Sequence, residues 1–329
     1  MGVIASIATK YFKEVFFTSS PTRIEEVADQ VRGGVTQEMN EQLTKEFQNE
    51  EIIQAVWNMH LTKVPGPDGM FAIFYQKYWD VIGDDVINTM LNVLISNASI
   101  VALNQTNISL IPKTNSPSKM SEFRLISFCN VSYEIISKVL ANRLKPILST
   151  IISENQSTFV PSRLIADNVL VAFEIMHYLK KKEGKECYMA IKIDMSKAYD
   201  RVEWVFLKKV MDKIGFNEKW INLVMNFVTT ITYSVLINGV AHGCITLTRG
   251  LRQGDLISPY LFLLVLEGST RLILEATRHE RLSGISICRN CRTITHLLFT
   301  DDNILYCKAT GQESRELLDI LQKYEEASG

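Results

Sequence analysis

Two adjacent carboxylates, Asp301-Asp302, interrupt an otherwise apolar run, with Leu297-Leu298-Phe299-Thr300 before them and Asn303-Ile304-Leu305-Tyr306 after them. Apolar stretches on both sides of an acidic pair predict a strand, a tight turn and a second strand. Like charges side by side repel, and half-burial adds a desolvation cost, so cations are needed to offset both. In a regular strand the two side chains would point to opposite faces; a turn is what brings them to one site. A solvated Asp-Asp turn is the plain alternative, since turns favour Asp and Asn. A third acid tips the balance. Tyr188 to Ile193 reads as a short, mostly apolar strand, and it ends on Asp194.

Beyond Asp194 the chain continues Met195-Ser196-Lys197-Ala198-Tyr199-Asp200. Val202, Phe206 and Val210, at i, i+4 and i+8, then predict a helix stopped by Gly215. Asp200, with Glu203 three residues on, has the pattern of an acidic capping box and is assigned to capping. Asp194 has no such local duty. An acid at a strand end beside an acidic hairpin can gather three carboxylates around hard divalent cations, which take oxygen ligands and substrate phosphates. Two ions roughly 3.5–4 Å apart stabilise the attacking and leaving oxygens of an in-line phosphoryl displacement.

Other segments fall in a consistent order. They are Ala8 to Phe12, Pro65-Gly66-Pro67-Asp68-Gly69, Leu110-Ile111-Pro112-Lys113, Phe123 to Ser127 and Lys138 to Leu144. Gln156 to Pro161, Asp194 to Trp204, Arg249 to Asp255 and the Asp-Asp box follow. In this order and spacing the chain closely resembles the reverse transcriptase of non-LTR (LINE-type) retrotransposons abundant in plants. The resemblance implies an α+β, right-hand polymerase fold, with an antiparallel palm sheet packed on helices. It implies a helical connector over 1–60, fingers with interleaved palm elements over 61–187, and a palm over 188–329 that stops before the primer grip and thumb. The implied activity is RNA-directed DNA synthesis from dNTPs on an RNA template and DNA primer, in the nucleus or cytoplasm.

Site roles follow residue by residue from the same resemblance. Asp194, Asp301 and Asp302 become the catalytic, metal-binding acids, holding two Mg²⁺ ions or Mn²⁺ in their place; Asp302 is the supporting member. Lys113 and Arg124 match triphosphate clamps, and a guanidinium suits bidentate phosphate contact. Tyr199 matches an aromatic ring beneath the incoming sugar that excludes a 2′-hydroxyl. Gln253 and Gly254 match a loop against the template and nascent base pair, and Arg252 a hold on template or loop.

This chain departs from the family pattern at several positions. Leu125 and Leu256 stand where the family usually has Pro, Ser162 where it has Gly, Thr300 where it has Ala and Asn303 where Ser is common. Each change is one C→T or G→A transition, the bias of methylated, silenced DNA, so a decaying genomic copy is the expectation. A catalytically silent relic or nucleic-acid-binding fragment is therefore the competing reading. An intron-maturase relative is a third, and Gln156 to Asn168 and Lys197 to Trp204 argue against it.

Composition sets outer limits. Lys and Arg number 35 against 36 Asp and Glu, so any basic surface must be local. Lys113, Lys119, Arg124, Lys138, Arg143, Lys145 and Arg163 make 101–170 such a stretch, suited to phosphates. The six cysteines show no disulfide framework, which reads as intracellular rather than secreted, and the lone Cys288-Cys291 pair lacks the second pair of a zinc site. Tyr260 to Leu266 is too short to span a membrane. Met1 to Ser6 fits a loose myristoylation pattern that is assigned to chance.

A coarse pass predicts a strand over 107–113, an amphipathic helix over 133–145 with Lys138, Arg143 and Lys145 outward, and a short helix over 220–227. It also predicts a hairpin turning at Asn238-Gly239, a helix opened by Ser258 at N-cap and Pro259 at N1, and a last helix from about Ser314. The aromatics Phe71, Phe74, Tyr75, Tyr78 and Trp79 are assigned to core packing.

Overall fold

Two sheets, each assembled from segments far apart in sequence, organise the residues that the computed structural model describes: 2–96, 99–184, 186–288, 291–300 and 302–329. Asp301 lies outside them. The chain begins with helices α1 (Gly2–Val15), α2 (Ile24–Ala28), α3 (Gln37–Thr44), α4 (Asn49–Trp57), α5 (Ala72–Lys77) and α6 (Trp79–Ser96). Strands β1 (Gln105–Pro112) and β2 (Phe123–Cys129) form a hairpin, followed by α7 (Val131–Leu144), α8 (Leu148–Ile151) and α9 (Ile165–Lys181). Strand β3 (Tyr188–Asp194) leads to α10 (Trp204–Ile214) and α11 (Glu218–Thr229). Strands β4 (Thr232–Ile237) and β5 (Val240–Thr246), helix α12 (Ser258–Arg278), strands β6 (His296–Phe299) and β7 (Asp302–Lys308), and α13 (Gly311–Ser328) complete the order.

Strand order is β2-β1-β4-β5 in one sheet and β3-β7-β6 in the other. The second sheet is antiparallel throughout. In the first, β1 runs parallel to β4, so the β4–β5 hairpin extends the sheet of β1 and β2 and not the sheet that carries Asp194. Asn238 (φ 51) and Gly239 (φ 79) make the sharp turn that the Asn-Gly pair predicts.

Helix α12 is buried around most of its circumference, and Leu261, Leu263 and Leu264 are fully enclosed. Each such leucine contributes roughly 1.5–3 kcal/mol. Its core runs from Val27 to Ala327 and takes in α2, α4 and α7, so residues before 60 belong to the main body. A second cluster seats Phe12 of α1 and Phe16, just past its end, on Tyr233 and Ile245. Of the aromatics after Gly69, Tyr75 and Trp79 pack against the core as expected, whereas Phe71 is 44% and Tyr78 47% exposed. Among the described residues no helix is long and apolar enough to cross a membrane. Cys288 and Cys291 are disulfide-bonded to each other, so the CxxC is one local link, and Cys129, Cys187, Cys244 and Cys307 are free.

Candidate active site

Register decides where the acids lie. Asp194 and Asp302 are direct partners across β3 and β7. Opposed residues of an antiparallel pair share one face, and Lys192, two residues from Asp194, shares it too. Lys192 Nζ lies 2.8 Å from Asp302 Oδ1. Both groups are largely solvated, so that pair contributes at most about 1 kcal/mol. Asp194 is exposed, and among the described residues no hydrogen bond or ion pair reaches its carboxylate.

Among the described residues no group of three His, Cys, Asp or Glu is assembled for a metal. The described donors are thus two carboxylates on one open sheet face, next in sequence to Asp301. Hard oxygen donors in that setting fit a divalent cation such as Mg²⁺. Thr300, 8% exposed, enters the turn at φ 70, a region where a β-branched residue is a true outlier. Ser162, which stands where the resemblance expects Gly, is also left-handed at φ 64. Leu125, by contrast, where the resemblance expects Pro, lies inside β2, paired with Leu110 and 6% exposed.

Beside Asp194 opens a cleft of about 860 Å³, within the usual range for ligand sites. Lys113, Arg124, Asp194, Tyr199, Gln253 and Gly254 all line it. Lys113 and Arg124 come together because β1 and β2 pair Ile111 with Arg124 and Pro112 with Phe123, while the Lys113 N–H donates to the Glu122 carbonyl at 2.8 Å. Both cations are exposed. The Tyr199 ring is stacked on Phe262, with centroids 4.7 Å apart and planes 19° from parallel. It is a fixed wall of the cleft.

Asp200 is not a helix cap. Helix α10 starts at Trp204 with Glu203 at its N-cap position, while Asp200 lies in the preceding turn, 3% exposed. Its Oδ1 accepts from Gln253 Nε2 at 2.9 Å. Burial pushes the Asp200 carboxyl up to about 6, against the pull of Lys197, the Gln253 hydrogen bond and Lys113. Sequence pattern alone mistook it because Asp and Glu three apart occur in caps and elsewhere alike. Ser258 likewise is the first residue of α12, one step inside its expected cap position.

The loop carrying Gln253 is docked by backbone. The Gly250 N–H donates to the Val202 carbonyl at 2.8 Å, Leu251 N–H to the Tyr199 carbonyl at 2.7 Å, and Trp204 Nε1 to the Gly250 carbonyl at 2.7 Å. Gly250 has φ 99, and a Cβ there would sit 2.7 Å from the Asp200 carbonyl oxygen, so only glycine fits. Gly254 has φ 92 and is exposed in the cleft.

Arg252 points the other way. It is fully buried, with its guanidinium 4.2 Å over the Tyr133 ring. It donates to Cys129 Sγ at 3.4 Å, to the Asn104 carbonyl at 3.2 Å and to Asn104 Oδ1. Of its two expected roles this placement suits holding the loop; the side chain has no path to a template.

Arg143 and Arg163 are also spent internally. Arg143 pairs with Glu51 at 2.7 Å and lies 3.6 Å over the Phe47 ring, not outward as the helix pattern suggested. Arg163 donates to the carbonyls of Ser149, Ile152, Ser153 and Gln156. Phe159, which sequence reasoning gave no role, lines the cleft. Its signal was only its place in the Gln156 to Pro161 segment.

Two exposed cations beside an acidic strand end on one cleft are groups that can take a phosphate-bearing ligand. The family described as reverse transcriptase (RNA-dependent DNA polymerase) matches residues 111–329, and the chain belongs to it. It is 26% identical over 300 residues to the Transposon TX1 uncharacterized 149 kDa protein of Xenopus laevis, covering 91% of this chain and 22% of that protein. It is 25% identical over 214 residues to the Retrovirus-related Pol polyprotein from type-2 retrotransposable element R2DM of Drosophila melanogaster, covering 65% of this chain and 20% of that one. An uncharacterized mitochondrial protein of Arabidopsis thaliana is 49% identical over 67 residues, 20% of this chain and 55% of its own length. The chain spans about a fifth of the two transposon-encoded relatives.

Proposed function

We propose that this chain is the reverse transcriptase domain of a LINE-type retroelement, transferring nucleotides from dNTPs to a primer 3′-hydroxyl on an RNA template. The observation that carries the reading is the convergence of Asp194, Lys113, Arg124, Tyr199 and Gln253 on one cleft. In this reading Asp194, Asp301 and Asp302 would hold divalent cations. When bound, two such ions neutralise charge on the attacking and leaving oxygens. Lys113 and Arg124 bind the triphosphate, a task of positioning and charge neutralisation, which is most of what phosphoryl transfer asks of a protein. Tyr199, braced by Phe262, bounds the sugar. Asp200 orients Gln253 toward the nascent pair. The division follows the family: connector 1–60, fingers 61–187 and palm 188–329, with β4 and β5 tying the palm segment to the fingers sheet.

The competing reading, a silent nucleic-acid-binding chain, draws on Thr300, a β-branched residue in the left-handed region beside the acids. Primer extension with Mg²⁺, dNTPs and an RNA template, run beside Asp194→Asn, separates the two. Extension by the natural chain that Asp194→Asn abolishes supports the polymerase; extension surviving the substitution removes Asp194 from the site, and none by either favours the silent chain.

A further inference from the structure

The segment from Gln156 to Val160 inverts the ordinary hydrophobic pattern. Gln156, Ser157 and Thr158 are 1%, 4% and 7% exposed, while Phe159 beside them is 48% exposed. Among the described residues Gln156 Nε2, Ser157 Oγ and Thr158 Oγ1 find no hydrogen-bond partner, which makes their burial costly. Phe159 itself has φ 60, a strained conformation for a bulky residue.

Strain of this kind persists only where the surroundings over-determine it. Here they do. Arg163 gathers four carbonyls of residues 149–156. The Thr158 N–H donates to Gln156 Oε1 at 2.9 Å, and the Leu298 N–H donates to the Asn155 carbonyl at 3.0 Å. Asn168 Nδ2 donates to that same carbonyl at 2.9 Å. The segment is thereby stapled to β6, the strand that runs into the acidic turn. What the arrangement achieves is an aromatic ring held out into the cleft that also carries Lys113, Arg124 and Asp194.

A ligand with both anionic groups for those cations and a flat aromatic face for that ring is a nucleotide. We propose that Phe159 is a stacking platform for a nucleobase bound in this cleft. The ligand class rests on the polymerase reading. Every base has a π-face, so stacking tolerates any sequence, as a copying site requires. The base belongs either to an unpaired template nucleotide or to the incoming nucleotide.

Fluorescence anisotropy tests this without requiring synthesis. The probe is a labelled, 3′-dideoxy-terminated DNA primer on RNA with a single-stranded 5′ overhang, titrated with and without the matching dNTP. Phe159→Ala weakens binding roughly 5- to 150-fold, the range for losing one base–aromatic stack. Phe159→Trp retains it, while Phe159→Leu, apolar but not aromatic, falls with Ala. A defect seen without dNTP, and erased by an abasic residue at the first overhang position, identifies the template base; a defect confined to dNTP-dependent tightening identifies the incoming base. Alanine binding within twofold of the natural chain in both conditions overturns the proposal, as does full rescue by leucine. Failure of primer extension in the natural chain would sink the polymerase reading, while this measurement still decides the role of Phe159.

Discussion

Two clusters of polar side chains, one buried around Asp255 and one open at Asp194 and Asp302, are built from similar residues and put to opposite uses. In the buried one, Asp255 accepts from Tyr133 Oη at 2.8 Å, from Ser258 Oγ at 3.3 Å and from Ser137 Oγ, and is 4% exposed. Arg252 lies against the same tyrosine, and burial together with Asp255 raises the Tyr133 phenol well above its ordinary value. Every group there is enclosed by protein partners, Arg252 Nε excepted. At the end of the β3–β7 pair, Asp194 and Asp302 stand exposed, Asp302 paired with Lys192. A buried acid with several donors is committed to holding shape; an open one is free for a ligand. Burial, not residue type, separates scaffold from chemistry.

The largest effect should come from breaking the buried cluster. Asp255→Ala leaves the buried Tyr133, Ser137 and Ser258 hydroxyls without their shared acceptor and should cost about 3 kcal/mol or more in urea unfolding, at about 1–3 kcal/mol for each stranded donor. A loss under 1 kcal/mol would mean that the network is ornamental. At the open edge the pattern reverses. Asp194→Asn should cut primer extension by at least about 10²–10³-fold, as losing one preorganised charge-stabilising group does, with the unfolding midpoint unchanged.

Asp200 stands between the two regimes, buried yet lining the cleft. Its carboxyl is raised from 3.8 to about 6, so the folded chain holds a proton that the unfolded chain has released. The stability tied to that proton is fully present below about pH 4 and is lost as pH rises through about 6, a change of about 3 kcal/mol. Asp200→Asn should flatten that slope relative to the natural chain; parallel pH profiles would show that the proton is not there. His296 works in the opposite direction, since burial lowers it to about 3, and stability linked to it falls as pH drops below its unfolded value near 6.5. The comparison must therefore be variant against natural chain. Last, Thr300→Gly removes a β-branched residue from φ 70 and should stabilise by about 0.5–1 kcal/mol, after allowing for glycine's own chain entropy. Destabilisation would place the Thr300 side chain among the contacts that hold the turn.

Much of the fold was legible because it depends on near neighbours. The apolar strand ending at Asp194, the Asn238-Gly239 hairpin and the helices over α7, α11 and α12 all follow from local pattern and turn chemistry. So did the cleft residues Lys113, Arg124, Tyr199 and Gln253, once the order of segments was read together. Charged and aromatic side chains were less legible. Arg143, Arg163 and Arg252 looked available for phosphate or template and turned inward; Phe159, to which the pattern gave no role, turned out into the cleft.

By itself the sequence determined which stretches form strands, turns and helices and that acids stand at a strand end, because each depends on residues within a turn or so along the chain. Tertiary structure alone decided which charges face a ligand. Arg252 meets Asn104 across 148 positions and Arg143 meets Glu51 across 92, and desolvating a guanidinium is tolerable only where such distant partners arrive to surround it.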